Sequence, residues 1–295
     1  VSPIKFTAHY SLIEKAIEIV ETLTNQNSDN LICSELQLSY LSQQLHISTR
    51  QLKGVLMSWA GISTHQFFKY LEKQHVLQLI FESNHHFNKS KILNFKDTKH
   101  LNKLILQVEM LTPDSINSQG NKPLQLVLGQ TSSPLGQVFA CFTNQGLNNL
   151  EFETNSLNFS QWRENIKNIY PLAKLIDSNT PIESLVKKIF YDSSSTKENL
   201  ILHLLGTSFE HEVWQALLSL SLGDLTSYQQ IARMINKPKA SRAVGCAIAK
   251  NPVGFLIPCH RVVLSSGEFG QYRWNKSRKK AMHLWEHGLL NAVQN

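Results

Sequence analysis

The sequence predicts a multidomain chain: an all-α helix-turn-helix region first, an α/β sheet domain next, and an α-rich domain with a helix-turn-helix of its own last. Three observations point there. The chain has 295 residues, enough for two or three domains with buried cores. Apolar residues recur at helical spacing through the first part of the chain and switch to a period of two from residue 123. Residues 206–295 then hold eleven Lys and Arg against five Asp and Glu, together with a contiguous Cys-His pair.

Residues 9–24 read as an amphipathic helix, because Ile13, Ile17 and Val20 fall on one face. The polar run TNQNSDN (24–30) breaks it. Leu36, Leu38, Leu41 and Leu45 mark a second, short helix; His46-Ile47-Ser48 is a tight turn; Leu52, Val55 and Leu56 are the buried side of a third helix. Ser48 suits an N-cap, since its hydroxyl can accept a bond from a first-turn amide. Gly61 ends the third helix, and Ser63 starts a long one through Phe67, Leu71 and Leu79. Two short helices joined by a tight turn form a helix-turn-helix. From residue 123, Leu124, Leu126 and Leu128 alternate, SSPLG turns the chain, QVFACFT continues as a strand, and Leu150-Glu151-Phe152 alternates after Asn144-Gln145-Gly146. This is an antiparallel meander. Helical patterns follow near 159–169 and 181–190, and Leu200–Leu204 is a further strand. Ser227–Met234 and Ala240–Ala249 are helices joined by the turn Asn236-Lys237-Pro238-Lys239. Ser227 fits the N-cap of the first, with Gln230 completing a capping box.

Composition narrows the class. Hydrophobic residues make up 42% of the chain, so a disordered chain is not expected. No apolar run approaches the roughly 20 residues that span a bilayer, so no membrane segment is expected. No basic stretch followed by an apolar one opens the chain, which begins at Val1, so no secretory signal is expected either. Cys33, Cys141, Cys246 and Cys259 show no metal or disulfide spacing, which suits a reducing, cytoplasmic setting. The net charge is +7, and its basic excess sits on residues 206–295. A polyanion is the partner this favours, although a solvated basic face would carry the same charge.

Chemistry concentrates in Pro258-Cys259-His260-Arg261-Val262-Val263. A thiol among apolar neighbours is inert unless a base or a positive charge favours the thiolate. His260 and Arg261 supply both. Over two residues, an inert core Cys beside a hydrogen-bonded His would look the same.

The surrounding blocks decide. The chain reads GTSFEHEVWQALLSL (206–220), TSYQQIA (226–232), NKPKASRAVGCAIAKNP (236–252), LIPCHRVV (256–263) and SSGEFGQYRW (265–274), and closes on a helix carrying Trp285-Glu286. In order and spacing these resemble the O6-alkylguanine-DNA alkyltransferases. The resemblance implies a suicide, single-turnover repair reaction in which Cys259 takes the alkyl group. His260 acts on the thiol through a water, Glu286 orients the imidazole, and Asn251 braces the active-site loop. It implies that Tyr228 donates to guanine N3 and that Val262, Tyr272, Arg273 and Trp274 surround the base. Trp274 at the pocket rim would restrict bulky adducts, and Gly254, where some relatives have Pro, would loosen the loop. Arg242 would enter the base stack in place of a flipped nucleotide, with Tyr228, Ser227, Ala240 and Ala243 against the DNA and Ala247 adding a third small side chain to that face. No cofactor and no metal are expected.

Upstream, LSYLSQQLHISTRQLKGVLMSWAGIS (38–63) resembles the first helix-turn-helix of AraC-type regulators. That fold's second unit is expected over 85–118, where only HLNKLILQVEMLTPDSI (100–116) carries any of its pattern. The combination resembles adaptive-response, Ada-type proteins without their zinc phosphotriester domain. The implied layout is an AraC-like region at 1–118, a ribonuclease-H-like sheet domain at 119–205 and a catalytic DNA-binding domain at 206–295. The expected partner is double-stranded DNA carrying O6-alkylguanine, with O4-alkylthymine as a further lesion and promoter DNA for 1–118; the protein is expected to be a monomer. The alternatives are an AraC-type regulator with a vestigial repair role and a damage-binding protein that flips the base without transfer. Deleting residues 1–118 is expected to leave transfer nearly intact.

Overall fold

The computed structural model describes residues 3–26, 34–71, 104–111, 124–191 and 198–292. In chain order the elements are α1 (Pro3–Gln26), α2 (Ser34–Gln44), α3 (Thr49–Ala60), α4 (described over 64–71), β1 (Leu104–Leu111), β2 (Gln125–Ser133), β3 (Gly136–Phe142), β4 (Leu147–Phe152) and α5 (Phe159–Ile169). There follow β5 (Lys174–Asp177), α6 (Thr180–Phe190), β6 (Glu198–Leu205), α7 (Ser208–Leu218), β7 (Thr226–Ser227), α8 (Tyr228–Met234), α9 (Ser241–Ala249), β8 (Val262–Val263) and α10 (Lys276–Ala292). They divide into two compact units. One comprises Val1–Asp97, Ser221–Ser227 and His260–Asn295; the other comprises Thr98–Leu220 and Tyr228–Cys259.

The first unit is helical. α1 buries Ile13, Ala16, Ile17 and Val20, one stripe at helical spacing. The turn after α2 closes through the His46 backbone at φ 53°. Ser48 then caps α3 in a full capping box: its Oγ accepts from the Gln51 amide at 3.2 Å, and its own amide donates to Gln51 Oε1 at 2.8 Å. Gly61, left-handed at φ 66°, ends α3 by donating to the Met57 carbonyl. Ser63 and Gln66 repeat the box at the start of α4. α1 also lies along α10, where Asn275 donates to Glu14, Ser277 to Glu18, Lys280 pairs with Glu21, and the Arg278 guanidinium sits over the Tyr10 ring.

The second unit is built on a mixed six-stranded sheet of order β1-β6-β4-β3-β2-β5. The β2-β3-β4 meander is antiparallel as the alternation predicts, and β5 joins β2 in parallel. Its core holds Leu124, Leu126, Leu128, Phe139, Cys141, Trp162 and Ile166. Burial among these pushes the Cys141 thiol up to about 12, so this cysteine stays protonated.

One expectation is corrected here. Residues 104–111 do not form part of a second helix-turn-helix: they are strand β1, parallel to β6 in unbroken register from Leu104↔Glu198 to Leu111↔Leu205. The run Leu-Ile-Leu-Gln-Val-Glu-Met-Leu mixes helix formers with β-branched residues, and pairing with a distant strand decides its state. The rest of the expected second unit lies outside the described residues, as does Leu79.

Candidate active site

Cys259 belongs to the second unit and is held by a short loop after α9. The Asn251 side chain organises that loop. Its Oδ1 accepts from the Val253 amide at 3.0 Å, and its Nδ2 donates to the Ile257 carbonyl at 3.0 Å and to Cys259 Sγ at 3.1 Å. The sulfur of Cys259 thus has a side-chain N–H donor aimed at it. The loop is strapped to the sheet by two bonds, Leu150 N–H to the Pro252 carbonyl and Gly254 N–H to the Leu150 carbonyl, at 2.9 and 2.8 Å. Gly254 therefore ties the loop down, contrary to the expectation that it loosens it, and a proline there would lack the donor. Phe255 takes a left-handed φ of 67° and packs against the tilted ring of Phe190. Cys259 itself is 4% exposed and opens a 3-10 turn, Cys259–Arg261. Tyr228, at the start of α8, is half-buried; burial first, and then the negative charge of Cys259, raise its phenol, so it remains a proton donor.

His260, the next residue in the chain, belongs to the first unit and is completely buried. Its Nε2 lies 2.8 Å from Glu286 Oε1. The Glu286 carboxylate also accepts from Arg261 Nη2 at 2.7 Å, from Arg261 Nε at 3.2 Å and from the Gly223 amide at 3.1 Å. Burial alone would raise this carboxyl; Arg261 and His260 outweigh it and hold the group well below the usual carboxylate range. Burial lowers the His260 imidazole despite the attraction of Glu286, so it is neutral at pH 7. Because an ionised Glu286 can only accept, the Nε2 nitrogen carries the proton and the basic lone pair is on Nδ1. His283 Nε2 donates to the His260 carbonyl at 2.8 Å, and burial lowers its imidazole to about 3.

Of the sequence-predicted residues, Asn251 and Tyr228 are thus brought to Cys259, and Glu286 to His260. Arg242 and Ala243 are exposed on α9, Ala240 precedes it, and Ser227 lies half-buried on β7 opposite Val263. Ala247, read as part of the same small-residue face, is instead buried, and its carbonyl accepts the Trp214 indole N–H at 3.0 Å. Val262 is buried on β8, Tyr272 is half-buried with its hydroxyl on Met282, and Arg273 is exposed. Trp274 corrects the rim assignment: at 1% exposed it is a packed indole against the Tyr272 ring, with Arg273 at 5.4 Å from its centroid. Removing it would open a core cavity rather than widen an entrance. Sequence reasoning missed Arg261 as the ion-pair partner of Glu286, and it missed Gly223 and His283. His283 could have been found, since it precedes Glu286 by one helical turn on α10.

Comparison with known proteins gives the chain's relatives. Residues 208–288 match the family model described as 6-O-methylguanine DNA methyltransferase, DNA binding domain. The chain is 39% identical over 116 residues to the bifunctional transcriptional activator/DNA repair enzyme Ada of Escherichia coli, covering 39% of this chain and 33% of that protein. It is 37% identical over 105 residues to a methylated-DNA–protein-cysteine methyltransferase of Mycobacterium leprae, covering 35% of this chain and 64% of that protein. The chain thus spans a third of the first relative and somewhat under two thirds of the second. A methylated-DNA–protein-cysteine methyltransferase of Methanosarcina barkeri is 32% identical over 143 residues, covering 48% of this chain and 84% of that protein. With that coverage, this chain belongs to the methylated-DNA–protein-cysteine methyltransferase family.

Proposed function

We propose that this protein repairs alkylated DNA by moving the alkyl group from guanine O6, or from thymine O4, to its own Cys259. The observation that carries the reading is a thiol hydrogen-bonded by Asn251 and followed directly by a neutral imidazole that an ionised Glu286 holds at 2.8 Å. In the reaction the thiol proton leaves toward His260, the sulfur forms a bond to the alkyl carbon, and the carbon–O6 bond breaks with its electron pair on the base. Tyr228 donates a proton to guanine N3, so the base departs neutral. Glu286 compensates the imidazolium that forms. The thioether is stable, so each molecule reacts once and needs no cofactor. Duplex DNA is the partner, bound through α8 and α9, with Arg242 filling the gap left by the flipped base. Val262, Tyr272 and Arg273 belong to the base-binding side.

A second DNA contact, to promoter sequences, falls to the helix-turn-helix of α2 and α3. Arg50, Gln51 and Lys53 are exposed on α3 and suit it. The sheet order β4-β3-β2-β5, a meander extended by a parallel strand, supports a ribonuclease-H-like class for the central domain.

The test is to incubate the full chain with duplex DNA bearing labelled O6-methylguanine and weigh its peptides. One methyl group on the peptide containing Cys259 is expected. Base excision, or methyl loss without protein labelling, would sink the reading.

A further inference from the structure

We propose that the corner between α3 and α4, together with Tyr70, positions Glu286 for the transfer reaction, so that the N-terminal helices are part of the working site. The inference rests on the reading of Cys259 as acceptor and His260–Glu286 as its base.

Three neighbours of Glu286 on α10 each meet this corner or Tyr70. The Trp285 ring meets the Trp59 ring edge-on, with centroids 5.4 Å apart. The His287 ring lies tilted against Tyr70 at 5.6 Å. Gly288 approaches so closely that a Cβ there would collide with the Ala60 carbonyl oxygen and fall 3.1 Å from Ile62 Cγ2. Residues on both sides of the carboxylate are therefore fixed by α3, by the turn after it and by α4.

Tyr70 adds a chemical element. Its hydroxyl is buried and has no hydrogen-bond partner among the described residues. Burial, and then the negative charge of Glu286, hold the phenol well above its ordinary range, so it stays protonated. Among the described residues, the other titratable or charged groups around the carboxylate are His260, Arg261 and His283, with Lys279 acting on His260 and His287 beside it in the chain. A buried hydroxyl without a partner is destabilising, so packing alone predicts that Tyr70→Phe is neutral or stabilising. Positioning predicts that it slows the chemistry, because small misplacements of a reacting group cost large factors in rate.

The experiment uses the full chain as parent, Tyr70→Phe, Gly288→Ala and the reference Glu286→Gln. Single-turnover transfer from free O6-benzylguanine is followed against pH, which removes duplex opening from the rate. The hydrogen-bonded His260 ring proton is observed by NMR, and thermal melts are recorded alongside. Gly288→Ala is expected to slow transfer on the order of tenfold to a hundredfold. Tyr70→Phe should slow it less and move the pH midpoint in the direction that Glu286→Gln moves it, without lowering the melting temperature. Both should shift the His260 proton signal. Parental rates, pH profiles and ring-proton signals in both variants, or losses that track only the unfolded fraction, would overturn the proposal. If the parent itself gains no alkyl group on Cys259, the repair reading fails, and the ring-proton signal alone then decides whether this corner positions Glu286.

Discussion

Two buried cysteines sit in different environments, and the proposed reading makes one of them inert and the other reactive. Cys141 sits among leucines and aromatics, and burial pushes its thiol up to about 12. Cys259 is almost as buried, yet a side-chain amide donates to its sulfur and the next residue is an imidazole. Replacing Cys259 with Ser is therefore expected to abolish transfer, because a hydroxyl is far less ionised than a thiol at neutral pH, while DNA binding persists; loss of methyl groups from DNA at the parental rate would contradict the assignment. The buried histidines predict a pH effect. His283 is lowered to about 3 by burial, and His260 is also lowered. Below about pH 6.5 the unfolded chain binds protons at these rings that the folded chain refuses, so stability is complete above that pH and falls as pH drops toward 3. Each ring costs about 1.4 kcal/mol per pH unit while only the unfolded state is protonated. Melting temperatures measured from pH 7.5 to 5 should fall on the acid side, and His283→Gln should flatten that fall. The cysteine-histidine pair was visible in the sequence because its members are contiguous. Arg261 on Glu286 was not, because twenty-five residues separate partners that only the fold brings to 2.7 Å.

Among the elements, those governed by local rules were legible. Ser48, Gly61 and Ser63 set the ends of α3 and α4 through caps that involve only near neighbours. The meander followed from its alternation. β5 went unread because four residues, Lys174–Asp177, are too few for a periodic signal. The burial of Ala247 also escaped, since its carbonyl partner, the indole of Trp214, lies 33 residues away. What remains exposed on α9 carries the functional weight in the proposed reading. Arg242 projects there beside Ala243, while Val244 and Ile248 face the core. Arg242→Ala should slow repair of duplex lesions more than transfer from free O6-benzylguanine, because only the duplex requires a base to be extruded, at a cost of about a few kcal/mol. Single-turnover rates on both substrates measure this, and equal losses would remove the intercalating role.

For the whole chain, the packing of the backbone cuts across the layout that the family resemblance implies. That layout sets the first 118 residues apart, but two facts of packing oppose this. The strand at 104–111 is the partner of β6 along its full length, and α1, α3 and α4 surround the helix that carries Glu286. Neither was legible, because both depend on pairings across ninety residues or more, where local propensity is silent. A chain truncated to residues 119–295 would lose a strand from the sheet unit and most of the helical unit. It would expose the β6 edge to pairing with other chains and uncover Trp285. Burying a large apolar side chain contributes about 1.5–3 kcal/mol, and several would be uncovered at once, against a total stability of about 5–15 kcal/mol. The truncated protein is therefore expected to aggregate or to transfer far more slowly than the full chain. Adding residues 1–118 back as a separate polypeptide should restore part of the rate if the missing packing is the cause. Solubility, melting temperature and single-turnover transfer of the truncated and reconstituted forms provide the check; a soluble, cooperative truncation that repairs duplex DNA at the parental rate would show that residues 1–118 are an independent appendage.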